Sequence, residues 1–194
     1  MSSWTTPFRK ARVSVRRAWG FKVRVGILSD THNDELMTRQ AIEVFRERNV
    51  NLVVHAGDIG SSAIVGMFGG MKASFVLGNC DTDHDGLRET CVNAGLDPAA
   101  RSASFELENK RFFVCHGDDC SRYRDAVTSG SYDYLIVGHT HEFSACHKGS
   151  TLVINPGAVT RDKHSDVLQT VAILDVDTGH VERIVLSPDV PPAY

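Results

Sequence analysis

Residues 22–58 read KVRVGILSDTHNDELMTRQAIEVFRERNVNLVVHAGD. Two short runs rich in Val, Ile and Leu, VRVGILS and NLVVHA, end in Asp, Gly or His, and such runs bounded by turn residues read as buried strands. Between them a helix is predicted from Asn33 to Arg48. Asn33 is its expected N-cap, with Asp34 and Glu35 in the first turn. Leu36, Met37, Ala41, Val44 and Phe45 recur at helical spacing and are expected to face a sheet.

The same grammar repeats downstream. ASFVLG (73–78), RFFVCH (111–116), YLIVGH (134–139) and TLVINP (151–156) are further apolar runs ending in Gly, Asn, His or Pro. Residues Ser61–Phe68 and Asp119–Ser129 predict two more helices, stopped by Gly69-Gly70 and by Gly130. SFELENKRFFVCH predicts a hairpin turning at Glu108-Asn109-Lys110, and VAILDVDTGHVERIVL another turning at Asp177-Thr178-Gly179. β-α-β units followed by hairpins imply an α/β domain built on mixed sheets.

This domain is expected over residues 22–194, with residues 1–21 as a basic N-terminal extension. On a helical wheel Phe8, Ala11, Val15, Ala18 and Trp19 share one face of that extension, with Arg9, Lys10, Arg12, Arg16 and Arg17 opposite. We read it as a basic tail; a transit peptide or membrane-surface helix is the alternative. The Pro-containing end SPDVPPAY is expected to be loosely held.

Composition narrows the function classes. Of 194 residues, 42% are hydrophobic and 23% charged, an ordinary globular balance. No apolar run is long enough to span a bilayer. Before Asp30 there are seven basic residues and no acidic one, which leaves 14 basic against 24 acidic residues in the remainder. An acidic body does not favour a stable nucleic-acid complex held by phosphate contacts. Five cysteines, odd in number and irregular in spacing, argue for a reducing compartment, and the expected location is cytoplasmic. The absence of a CxxC pair argues against a thiolate zinc site.

The chemistry lies at the strand ends. Five predicted strands finish in Asp30-Thr31-His32, Gly57-Asp58, Gly78-Asn79-Cys80-Asp81, His116-Gly117 and Gly138-His139-Thr140-His141. Ligands in open α/β sheets bind at the carboxyl ends of strands, so these groups are expected on one edge. In extended chain, residues i and i+2 point the same way, which would let Asp30 and His32 serve one ion, and likewise His139 and His141. One Asp or His at a strand end is an ordinary turn residue; five in succession are a site. The donors are imidazole, carboxylate and amide, a set that suits Mn, Fe, Zn, Ni or Co. Seven ligands exceed the need of one ion with an open position and suffice for two that share a carboxylate, an arrangement that hydrolyses phosphate esters.

The ordered set DTH, GD, GNCD, HG and GHTH resembles the calcineurin-like metallophosphoesterase superfamily. The short length, GNCD in place of GNHD or GNHE, and INPGAVT near the end resemble its small YfcE-like phosphodiesterase branch, over about residues 22–186. The resemblance implies a sandwich of two β-sheets flanked by helices. It implies one metal on Asp30, His32, Asp58 and His141, and a second on Asp58, Asn79, His116 and His139, with Asp58 and a hydroxide as bridges. Manganese is the expected ion. Asp58, Asn79, His116 and Cys80 are the expected catalytic residues, acting on a small phosphodiester.

Two departures matter. Cys80 stands where many members carry a His thought to protonate the leaving group, and a thiol is a poorer general acid near neutral pH. That favours diesters or better leaving groups; a small space-filling role for Cys80 is the other reading. Asp81, which would orient that His, is left to cap a turn or hold Asn79. GDIGSS lacks the Asp-Arg-Gly of protein Ser/Thr phosphatases, which, with the small size, argues against that activity. His55 is read as a partner of a ligand, His84 as part of an acidic loop at Asp81–Asp85, and His147, His164 and His180 as surface residues. Arg161 and Lys163 are positioned to attract an anion or are plain surface. A non-catalytic protein-binding scaffold of the retromer-subunit type, and a nuclease, are the alternative functions. Homo-oligomerisation is left open.

Overall fold

The computed structural model describes residues 22–160 and 168–187, together with the backbone of a two-residue strand at Ala11–Arg12 (β1). The rest of the basic extension, Arg161, Lys163, His164 and the end of the Pro-containing tail lie outside the described residues.

The opening stretch folds as its pattern predicts. Strands β2 (Arg24–Leu28) and β3 (Leu52–His55) pair in parallel across helix α1 (Glu35–Glu47). The helix starts later than expected. Asp34, not Asn33, is the N-cap, and its carboxylate accepts the Met37 N–H at 3.0 Å. Asn33 adopts a left-handed φ of 65° in the loop before the helix. The buried stripe is Met37, Ala41, Ile42 and Phe45; Leu36 is exposed and Val44 half-buried, so the expected face is rotated slightly. Helices α2 (Ser62–Gly66) and α4 (Cys120–Thr128) fall inside the predicted spans, and Asp119 caps α4 by accepting from Ser121 and Arg122.

Besides β1, two elements are absent from the sequence reading. Helix α3 (His84–Asn93) occupies what reads as an acidic loop, and His84 is its first residue. Only Leu87 and Cys91 are buried, so the helix has no apolar stripe to announce it. Strand β8 (Phe143–Lys148) is an edge strand exposed along most of its length and lacks an apolar run.

Two mixed sheets result. One runs β11-β10-β2-β3-β4, adding β4 (Ala73–Phe75), β10 (Thr170–Asp175) and β11 (Val181–Val185). The other runs β1-β5-β6-β7-β9-β8, with β5 (Ser102–Leu107), β6 (Lys110–Cys115), β7 (Tyr134–Ile136) and β9 (Thr151–Pro156). Glu108 and Asn109, both left-handed, make the tight turn between β5 and β6.

Alternation along the strands divides the core into layers. Val25 and Ile27 join Phe112, Val114, Ile136 and Ile154 in the cluster between the sheets. Leu28 and Val53 join Phe45, Ile64 and Leu87 beneath α1, α2 and α3. Phe113, Leu135 and Val153 pack beneath α4 through Ala126. The order is helices, sheet, sheet, helix. The carboxyl ends of β2, β3, β4, β6 and β7 meet at one rim of this sandwich. There Asp30 N–H donates to Gly57 O at 2.9 Å, Val76 N–H to His55 O at 3.0 Å, and Gly138 N–H to His116 O at 2.8 Å.

Candidate metal centre

Three of the five loops, DTH, GD and GHTH, place their ligand residues in a left-handed conformation soon after the strand ends. Asp30, His32, Asp58, His139 and His141 have φ of 55°, 42°, 55°, 72° and 61°. The expectation that Asp30/His32 and His139/His141 align along extended chain is therefore corrected. The strands have already ended, and the side chains converge because the backbone curls. A left-handed non-glycine residue costs about 1–3 kcal/mol, and such strain gathers where surrounding structure holds it for function.

The convergence is close. Asp30 Oδ1 lies 3.2 Å from His141 Nε2, 3.9 Å from His32 Nε2 and 4.0 Å from His116 Nε2. Asp58 Oδ2 lies 3.3 Å from His116 Nε2 and 3.6 Å from His32 Nε2. Three overlapping trios have ligand atoms within 4.8 Å of one another: Asp30/His32/His141, Asp30/Asp58/His116 and His32/Asp58/Cys80. Asp58 belongs to two of them. The His139 ring stands edge-on to His116 at 5.1 Å, and its backbone N–H donates to Asp30 Oδ2 at 3.1 Å. Asn79 is exposed, with Nδ2 3.4 Å from Cys80 Sγ.

Two buried atoms fit a cation that would complete them. Asp30 Oδ1 and His116 Nε2 are buried without a hydrogen-bond partner, a costly state for a polar group. His116 Nδ1 lies 2.8 Å from Ala56 O. A carbonyl only accepts, so Nδ1 carries the proton and Nε2 presents its lone pair to the two carboxylates. A metal-ligating His has the same tautomer, fixed by the same kind of bond. Carboxylate and imidazole are also the donor chemistry of a transition-metal site. The residues fit divalent ions.

The electrostatics agree. Burial pulls His116 down, but the contact with Asp58 and the charge of Asp30 outweigh it and raise its pKa. Burial also works against the Asp58 carboxylate, yet His116 and the Cys80 N–H, which donates to Oδ1 at 2.8 Å, hold it well below the usual carboxylate range. Partial desolvation by the surrounding loops, then the hydrogen bond to Asp58, push the thiol of the exposed Cys80 up to about 11.

The loops are braced by residues behind the ligands. His55 is fully buried. Its Nδ1 accepts the Gly57 N–H at 3.3 Å, so Nε2–H donates to Thr31 Oγ1 at 3.0 Å, and Thr31 donates onward to Ile59 O at 2.9 Å. Burial pushes His55 down to about 4, consistent with this neutral tautomer. Asp81, buried, accepts Gly60 N–H at 2.9 Å and Gly78 N–H at 2.8 Å. It closes its own GNCD turn through Gly78 and clamps that turn to the Asp58 loop through Gly60. Asn155 donates from Nδ2 to Gly138 O and accepts Gly157 N–H through Oδ1, supporting the GHTH loop. Arg101 donates to Gly78 O at 2.7 Å and pairs with Asp118. INPG is visible in the sequence, but nothing local says that Asn155 reaches across to residue 138; Arg101 carries no sequence signal. Two glycines are required by close approach. A Cβ at Gly57 would lie 2.6 Å from His116 Nδ1, and one at Gly78 would overlap Asp58 Oδ1. His147 and His180 are exposed, as expected. No described helix is long and apolar enough to cross a membrane.

Known proteins resemble this chain in sequence and fold. The model of the calcineurin-like phosphoesterase superfamily domain matches residues 23–179. A protein of Methanocaldococcus jannaschii named as a phosphodiesterase is 34% identical over 167 residues, covering 84% of this chain and 99% of that one. A solved structure described as an archaeal phosphodiesterase superposes with a TM-score of 0.76 at 34% identity, over 84% of this chain and all of the other. The E. coli phosphoesterase YfcE superposes with a TM-score of 0.59 at 18% identity, over 85% of this chain and all of that one, a likeness of fold. With the rim geometry, the domain match and the 34% identity in agreement, the chain belongs to the calcineurin-like phosphoesterase superfamily.

Proposed function

We propose that this chain is a two-metal hydrolase of phosphate esters, acting on phosphodiesters. The observation that carries the reading is the pair of buried, unpartnered ligand atoms, Asp30 Oδ1 and His116 Nε2, inside overlapping trios of carboxylate and imidazole. The phosphodiesterase name of the 34% identical relative supports the substrate class.

In this reading Asp30, His32, Asp58 and His141 hold one ion, and Asp58, Asn79, His116 and His139 the other. Asp58 is shared. Its depressed basicity keeps it ionised at every working pH, as a bridging carboxylate must be. When bound, two divalent ions, manganese by preference, supply charge for the phosphoryl oxygens and acidify the attacking water. The remaining tasks fall to the protein. Asp30 Oδ2 accepts the His139 N–H and so aligns the GHTH loop. Asn79, exposed at the rim, is assigned contact with the phosphoryl group, and His116 holds its Nε2 lone pair inward. To Cys80, whose thiol is kept protonated by desolvation and by Asp58, this reading assigns the proton for the leaving oxygen. A thiol donates reluctantly, which favours esters whose leaving groups need little help.

The test is turnover of a chromogenic phosphodiester with Mn²⁺, compared with Asp58→Asn. Loss of at least about 100-fold is expected, on the scale of removing a group that organises transition-state charge. Equal turnover by the variant, or none by the parent across several divalent metals, would refute the proposal.

A further inference from the structure

We propose that Cys80 is a thiolate ligand for thiophilic ions, joining His32 and Asp58 of the carboxylate–imidazole set to make a soft-metal site at the rim. The inference rests on the metal-centre reading and extends it, since the absence of a CxxC pair argues against any thiolate site. The three ligand atoms lie within 4.8 Å of one another. The spacing is built in: Cys80 N–H donates to Asp58 Oδ1 at 2.8 Å, which anchors the cysteine backbone against that carboxylate. His32 Nε2 is 3.6 Å from Asp58 Oδ2. The adjoining trio, which shares Asp58, carries a cation signal of its own. His116 Nε2, buried and unpartnered, faces the same Asp58 oxygen at 3.3 Å.

Exposure matters too. Cys80 is open to solvent, so an ion reaches it directly; Cys91 and Cys115 are buried. Cys120 and Cys146 are exposed but belong to none of the trios among the described residues.

The chemistry selects among ions. Thiolate favours soft or borderline ions such as Cd²⁺, Zn²⁺ and Co²⁺ over Mn²⁺ and Mg²⁺. Binding forms a sulfur–metal bond and breaks the S–H bond, with the proton passing to buffer and no change of oxidation state. A hard ion leaves the thiol intact and available as a proton carrier; a thiophilic ion removes it. The same loop therefore distinguishes metals that support turnover from metals that occupy the site.

Cobalt reads both propositions at once. In chelator-stripped full-length protein titrated with Co²⁺, d–d absorption in the visible reports loading. A sulfur-to-cobalt charge-transfer band in the near ultraviolet reports a thiolate ligand. The band is expected in the parent, in Cys120→Ser and in Cys146→Ser, and is expected to vanish in Cys80→Ser while the d–d bands remain. Cd²⁺ affinity should fall by about tenfold or more in Cys80→Ser, with Mn²⁺ affinity little changed. Loading without the charge-transfer band, or a band that survives Cys80→Ser, overturns the thiolate assignment and spares the metal centre. No d–d absorption at all overturns both.

Discussion

Replacing Asp81 with Asn removes a clamp that no ligand list would include. Asp81 is 3% exposed and uses both carboxylate oxygens, one on Gly60 N–H at 2.9 Å and one on Gly78 N–H at 2.8 Å. Gly60 follows Asp58, and Gly78 precedes Asn79. An amide of the same shape can accept only one of these bonds and turns its own NH₂ against the other N–H. A hydrogen bond to a charged group contributes about 1.5–3 kcal/mol, and a buried donor left unsatisfied costs about 1–3 kcal/mol. Taking partial relaxation into account, the loss is about 3 kcal/mol. For a chain of this length each kcal/mol moves the melting temperature by about 2–4 °C, so a drop of about 6–12 °C is expected. The assay is thermal unfolding in chelator, with urea titration to check that the m-value is unchanged. Mn²⁺ affinity should fall in the same variant, because the two clamped loops carry the shared Asp58 and Asn79. Asp83→Asn is the control: it caps α3 from the surface, and Asn caps a helix about as well as Asp. If Asp81→Asn melts within about 2 °C of the parent in chelator, the clamp does not hold the rim and the reasoning is wrong.

A saturating divalent ion, at about 100 times its Kd, should stabilise the protein by about 2.7 kcal/mol, read as a rise in melting temperature that chelator reverses. Asp30→Asn should reduce that rise while costing less than about 1 kcal/mol in chelator, because the amide oxygen can still accept the His139 N–H and one buried charge is gone; an undiminished metal-dependent rise would count against Asp30 as a ligand. The acid response of the metal-free protein should carry the signature of His55, whose folded pKa of about 4 lies below the ordinary 6.5. Between those values only the unfolded chain takes up the proton, so stability is complete above about pH 6.5 and falls by about 3 kcal/mol as pH drops to about 4. Urea titrations across that window should give a flatter slope for His55→Gln; an unchanged slope would assign the acid sensitivity elsewhere. Phe112→Ala, in the stack with Phe105 and Tyr134 between the sheets, should cost about 3–5 kcal/mol by urea titration; a loss under about 1 kcal/mol would show that this layer is not tightly packed.

Much of the architecture was legible because burial leaves a trace in local pattern. Apolar runs such as NLVVHA and YLIVGH can only be satisfied inside a sheet, and the 3.6-residue recurrence of Met37, Ala41 and Phe45 places α1. Elements with little buried surface left no such trace. Helix α3 buries two side chains, and β8 buries almost none, so each reads as loop until neighbouring elements supply its partners. The start of α1 shows the same limit at finer scale: Asn33 and Asp34 are both good caps, and the left-handed turn at Asn33, part of the site loop, decides for Asp34.

By itself the sequence determined which side chains could meet. Each ligand candidate closes an apolar run, and strands that lie side by side bring their ends to one rim whatever the loops do. How those side chains meet was decided by the tertiary structure. The i, i+2 pairs converge through left-handed backbone rather than extended chain, a conformation too costly for isolated Asp and His residues to hold. It is held by bonds between residues distant in the chain: His55 to Thr31, Asp81 to Gly60, Asn155 to Gly138. The orphaned state of Asp30 Oδ1 and His116 Nε2 is likewise a property of the assembled rim, because a side chain is deprived of water and partners only when other strands close around it.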